Sequence, residues 1–88
     1  MPQQDKRAVT LTGLALAATG LVHFVRPQLF EPITVASFPQ NTRRHVYTNG
    51  SIETAIGLAL AGRTTRKLGV AGLLGYAAYL AGNTVRNR

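Results

Sequence analysis

The chain has no cysteine and no tryptophan, and only three carboxylates, Asp5, Glu31 and Glu53, among 88 residues. The lack of cysteine excludes disulfides, a thiol nucleophile and iron–sulfur or haem-thiolate ligation, and leaves the redox compartment open. With two histidines, His23 and His45, a metal ion would have to borrow ligands from elsewhere, so no metal site is assigned. There is no phosphate loop, no Ser-His-Asp order and no paired-carboxylate constellation, and hence no catalytic residue to nominate. The expectation is a protein that is not an enzyme in its own right. A chain this short forms one domain and has little capacity for a large soluble core.

Against three acids stand ten cations, giving a net charge of +7. They sit at regular intervals. Eighteen residues separate Arg7 from Arg26, 18 separate Arg44 from Arg63, and 18 separate Lys67 from Arg86. The first and third intervals contain no charged residue, and the second contains only Glu53. At a helical rise of ~1.5 Å per residue each interval spans ~27 Å, close to the ~30 Å hydrocarbon core of a bilayer. A soluble helical bundle needs a charged outer face on each helix, and these segments have none. Mean hydropathy, +0.06, hides this segregation. The expected fold is therefore all-α: a membrane-embedded three-helix bundle with spans near 8–25, 46–62 and 68–85. Nucleic acid is not an expected partner, because the cations flank segments and do not cluster on one face. Arg26, Arg43, Arg44, Arg63, Arg66 and Lys67 are read as anchors to lipid headgroups.

Segment one carries Thr12, Thr19 and His23 along one helical stripe, with Gly13 and Gly20 seven residues apart nearby. Its rival reading is a cleaved signal peptide, with Lys6-Arg7 as the charged region and a small-x-small site in LALAA. Residues 26–44, with Pro27, Pro32 and Pro39, form a Pro-interrupted interfacial connector. Segment two has a polar first half. Either a long helix from near Val46 carries Asn49 and Glu53 inward, or Asn49-Gly50 turns and Ser51 caps a shorter helix; the longer helix is preferred. Residues 63–67 make a tight basic turn, so segments two and three form an antiparallel hairpin. Segment three offers small-xxx-small pairs, Ala71/Gly75 and Ala78/Gly82, and sets Tyr76, Tyr79 and Asn83 on one face.

This topology brings the end of segment one, the start of segment two and the end of segment three to one rim. The candidate polar or ligand site comprises His23, Glu53, Asn83, Tyr79 and Asn49. Glu53 dominates it, because a carboxyl group inside a bilayer is costly and normally partnered. It is open to reading as a proton carrier or head-group anchor, as a structural hydrogen-bond partner, or as a helix-start residue suited to the dipole. Five cations lie at each end of the three segments, so charge leaves the orientation tied. The compactness of the clusters favours a cytoplasmic N-terminus.

From Gly20 to Asn83 the order of residues resembles the DoxX-like family of small bacterial membrane proteins. The matching pieces are Gly20-Leu21-Val22-His23-Phe24, Pro27 and Phe30, Phe38-Pro39, Tyr47, Gly50 and Glu53 with Gly57-Leu58, Thr65-Arg66-Lys67, and Ala81-Gly82-Asn83. The resemblance implies a multi-pass protein of the bacterial inner membrane in which His23, Glu53 and Asn83 belong to the family pattern. Members are linked to thiosulfate:quinone oxidoreductase subunits and other membrane redox complexes, and most have no assigned activity. The chain departs from the pattern by lacking a fourth span before it stops at Arg88, and by the Gly82 between Ala81 and Asn83. Three functions follow as expectations. The first is an accessory subunit packing against a larger membrane complex or against itself. The second is a quinone- or redox-linked component using a His23/Glu53/Asn83 rim, the quinone being the one cofactor considered. The third is a holin-like pore former.

Overall fold

The computed structural model describes residues 2–88, with side chains from residue 7 onward. Three long helices, α1 (Pro2–Val25), α3 (Thr42–Ala61) and α4 (Arg66–Arg86), are joined by a folded connector and a short turn. The described residues contain no strand. Helix α1 stops where Pro27 disfavours helical geometry in the residue before it, and Arg26 takes φ −134° and ψ 65°. The connector then folds as a 3₁₀ turn (Pro27–Leu29) and the single-turn helix α2 (Glu31–Thr34), each with a proline in its first two positions, where no amide donor is missed. The expected interruption by proline is present, but the segment is compact. Val35, Ser37 and Phe38 all donate backbone hydrogen bonds back into it.

After Pro39 the chain reverses through Asn41, the only non-glycine residue with positive φ (55°) among those described. Helix α3 starts directly afterwards, so Arg43 and Arg44 lie in its first turn, outside the connector. Asn49-Gly50 is helical, and α3 is the longer of the two forms considered for segment two. Gly62 ends it, with φ −80° and ψ 139°.

The helices α1 and α3 meet backbone to backbone. A Cβ placed on Gly13 would stand 2.6 Å from the Gly57 carbonyl oxygen, and one on Gly20 would stand 2.6 Å from that of Gly50. One on Gly57 would fall 2.8 Å from the Cα of Ala17. Two glycines seven apart on α1 thus face two glycines seven apart on α3, running antiparallel. This pairing fixes the register and sets His23 against Gly50.

Helix α4 packs on α3 through Gly69 against Leu60 and Gly72 against Ile56. Ile56, Leu60 and Tyr76 form a small core with Leu16, Ile52 and Leu80 packed around it. At the turn, the Arg66 guanidinium donates to the Leu60 carbonyl (2.9 Å) and to Thr10 Oγ1 (2.8 Å), and Thr65 Oγ1 donates to the Ala59 carbonyl (2.8 Å). Arg66 is therefore half-buried and closes the carbonyl end of α3, which a cation also suits electrostatically.

The molecule is a slab of 43 × 27 × 17 Å. Its thin dimension is less than two helix diameters of ~10–12 Å, so every helix keeps an uncovered flank. Two stretches, Arg7–Val25 and Arg66–Arg86, are long and apolar enough to cross a membrane by length and composition.

Because Gly57 has no room for a methyl group and Gly82 meets nothing within 4 Å among the described residues, substitution at the two sites should have opposite signs. Gly57→Ala should lower stability by about 1–3 kcal/mol through overpacking. Gly82→Ala should raise it by about 0.5–1 kcal/mol through helix propensity. Unfolding followed by circular dichroism in mild detergent checks both.

Candidate functional site

The α1–α3 register brings His23 to the flank of α3 on which Glu53 stands one turn beyond Asn49, and α4 brings Tyr76 to the same point. Tyr76 Oη donates to Glu53 Oε2 at 2.5 Å, and His23 Nε2 lies 3.7 Å from that oxygen. The other ring nitrogen, His23 Nδ1, is 2.8 Å from the Thr19 carbonyl. A carbonyl only accepts, so Nδ1 carries a hydrogen. In the neutral ring, Nε2 therefore presents a lone pair to Glu53. A single added proton can then sit on either partner: as a carboxylic acid facing a neutral imidazole, or as a carboxylate facing an imidazolium. Tyr76 supplies a neutral donor that supports the carboxylate. The arrangement sets an imidazole nitrogen and a phenol hydroxyl beside one carboxylate oxygen.

These groups open on a cavity of about 500 Å³, within the range of small-molecule sites. Thr19, Asn49, Leu80 and Thr84 contribute to its walls from the three helices. The connector supplies the rest, with Phe30, Ile33, Thr34, Ala36, Ser37 and Phe38. Phe30 stacks on the His23 ring at 3.6 Å, which fixes the imidazole plane. Ser37 is tied to the end of α4 by a hydrogen bond with Thr84 and by Asn87 Nδ2, which donates to its carbonyl at 2.8 Å. The connector is thus bound across the cavity and does not lie apart from it.

Asn49 is 4% exposed, and its Oδ1 has no hydrogen-bond partner. A buried amide oxygen left unpaired costs about 1–3 kcal/mol, so this atom is either a lasting liability or one end of an unformed contact. It lines the same cavity as Glu53. Among the described residues no third His, Asp or Glu gathers with His23 and Glu53, so a metal ion would find two protein ligands there.

Of the five residues expected at the rim, His23, Asn49 and Glu53 come together. Tyr79 and Asn83 line a neighbouring groove, with Asn83 Nδ2 donating to the Tyr79 carbonyl at 2.8 Å. Tyr76 takes the place expected for Tyr79. The signal was the i, i+4, i+8 run of Tyr76, Leu80 and Thr84, which defines the cavity-facing stripe of α4 one step round from Tyr79, Asn83 and Arg86. Phe30, Thr34, Ser37 and Phe38 had no periodic signal, since they stand in a Pro-broken run. Of the anchor cations, Arg66 is turned to the α3 carbonyls and Arg43 pairs with Glu31. The hydrogen bond to Glu31, and after it one to Tyr47, raises the Arg43 pKa above the ordinary arginine value.

The family described as Domain of unknown function (DUF8561) matches residues 11–86, which takes in the cavity and all three long helices from Leu11 onward. No curated protein and no solved structure matches the chain.

Two substitutions in this cavity should move stability in opposite directions. Asn49→Leu removes an unpaired buried amide and should stabilise the ligand-free protein by about 1 kcal/mol. Tyr76→Phe strips Glu53 of its donor and should destabilise it by about 1–3 kcal/mol. Thermal melts of both variants beside the parent chain provide the check.

Proposed function

The chain belongs to the DUF8561 family, a domain of unknown function, and we propose that it is a small multi-pass membrane protein that binds a ligand with a polar, proton-exchanging head in the His23–Asn49–Glu53–Tyr76 cavity. The observation that carries this reading is the unpaired, buried Oδ1 of Asn49 in the same cavity as a Glu53 already held by Tyr76 and faced by His23.

The membrane part rests on how little of the apolar surface is covered. A soluble core helix of this composition would be mostly buried. Here 22% of the apolar stretch of α1 and 11% of that of α4 is buried. A cleaved signal segment is disfavoured by the locking of Gly13, Ala17 and Gly20 against α3. In this reading a bilayer covers the flanks, the cations at the helix ends meet headgroups, and a bacterial inner membrane with the N-terminus on the cytoplasmic side is the setting. The DoxX-like resemblance is part of the same proposal.

A quinone head group fits the residues present. Phe30 and Phe38 offer ring faces, the unpaired Asn49 Oδ1 can accept from a hydroxyl of the reduced, quinol form, and His23 and Glu53 offer a place for a proton. A quinone supplies two-electron chemistry coupled to protons; this chain supplies the binding, the orientation and the proton site. A second reading, an accessory subunit, is favoured by the open flank of α4, where Gly75 and Gly82 meet nothing within 4 Å among the described residues while Leu68, Leu74 and Val85 are exposed.

The ligand reading is tested by titrating a short-chain quinol analogue into detergent-purified protein and following tyrosine fluorescence. Glu53→Gln and Tyr76→Phe should each weaken binding about tenfold or more, the loss of one charge-assisted hydrogen bond. Tyr47→Phe, outside the cavity, should leave it unchanged. Absence of binding, or equal affinity in all four proteins, would leave the accessory-subunit reading in its place.

A further inference from the structure

On the far side of Phe38 from the His23–Glu53 cavity lies a second concavity, a groove of about 430 Å³. Its chemistry differs from that of the cavity. Gln40, Tyr79, Asn83 and Arg86 supply donors from the connector and α4, His45 of α3 adds a ring nitrogen, and none of the residues lining it carries a carboxylate. Phe38 is the common wall, stacked on the His45 ring at 4.3 Å and tilted against Tyr79 at 5.4 Å, so both polar rings are held in fixed positions. His45 Nδ1 lies 3.1 Å from the Asn41 carbonyl, to which it must donate, and this leaves Nε2 as the free ring nitrogen.

The charge around the groove is one-sided. Arg44 stands in the adjoining first turn of α3, and Arg86 lines the groove itself. Glu31, the acid of the connector, is already bonded to Arg43. Gln40 and His45 also bracket the start of α3, a 20-residue helix whose cap residue Asn41 makes no side-chain capping bond. The first intrahelical donor is the His45 amide, bonded to the Asn41 carbonyl. The amides of Thr42, Arg43 and Arg44 therefore face outward at the positive end of the helix dipole.

We propose that this groove is a binding site for a phosphate group, with Arg86 as its principal contact and Tyr79 and Gln40 as supporting donors. A guanidinium fork matches phosphate oxygens, and neutral donors from the connector and α4 can meet the remaining oxygens. The phosphate belongs either to a lipid headgroup or to a free ion. The site uses none of the four polar residues of the cavity, and stands or falls independently of ligand binding there.

Two probes separate the sources: inorganic phosphate titrated into detergent-purified protein, read by NMR at the His45 and Tyr79 rings, and nanodiscs of mixed phosphatidylglycerol and phosphatidylcholine, read by native mass spectrometry for co-retained lipid. Arg86→Gln is exposed and near the end of α4, so it leaves the packing alone. Arg63→Gln removes the same charge at the opposite end. The expected result is that Arg86→Gln weakens binding about tenfold while Arg63→Gln has no effect. Saturable phosphate shifts lost in Arg86→Gln support the site with a free ion as occupant. Phosphatidylglycerol retention lost in Arg86→Gln, without a response to inorganic phosphate, supports it with a lipid headgroup. Binding of neither probe, or equal weakening by Arg63→Gln, overturns it.

Discussion

The close approach of α1 and α3 is the constraint on which the rest of this structure depends. Four helical glycines, Gly13, Gly20, Gly50 and Gly57, hold the contact, at an intrinsic cost to the two helices of about 2–4 kcal/mol in total relative to alanine. Close backbone packing offsets that cost. Since any larger side chain would collide with the facing backbone, the pairing admits one register. That register sets His23 against Gly50, one turn from Glu53. The chemistry of the cavity is thus a consequence of where two helices can touch.

The second constraint is the connector. It is short, broken by three prolines and still structured, because its backbone bonds locally and its Ser37 is held by Thr84 of α4 and by Asn87 just beyond it. It places Phe30 on His23 and Phe38 between His45 and Tyr79. One aromatic ring, Phe38, therefore lines both an inner cavity that holds His23, Glu53 and Tyr76 and an outer groove lined by Arg86 and no carboxylate. In the membrane setting proposed here, the first would face the acyl region and the second the headgroups.

Much of this was legible in the sequence, for a physical reason. Cations are excluded from apolar surfaces, so their spacing counted the three long helices and identified which ends converge. Glu53 stood out because it is the single charge inside an interval, and the structure sets it between Tyr76, which donates to it, and His23 at 3.7 Å. The register was hidden because Asn49-Gly50 has the composition of a turn, and only the facing glycines of α1 explain why it is helical. Tyr76 and Tyr79 fall close together on a helical wheel, and the packing of α4 on Ile56 and Leu60 decides which of them reaches Glu53. Arg66 looked like its neighbours Arg63 and Lys67, and differs from them by the carbonyls of α3 that it can reach.

The central claim is that this register couples His23 to Glu53, and ¹⁵N NMR of the His23 ring tests it most directly. If the account is right, the Nε2 resonance moves on Glu53→Gln and stays in place on Glu31→Gln, whose carboxylate is bonded to Arg43 outside the cavity. A His23 ring that does not respond to Glu53→Gln, in a protein that keeps its helical content, would contradict it.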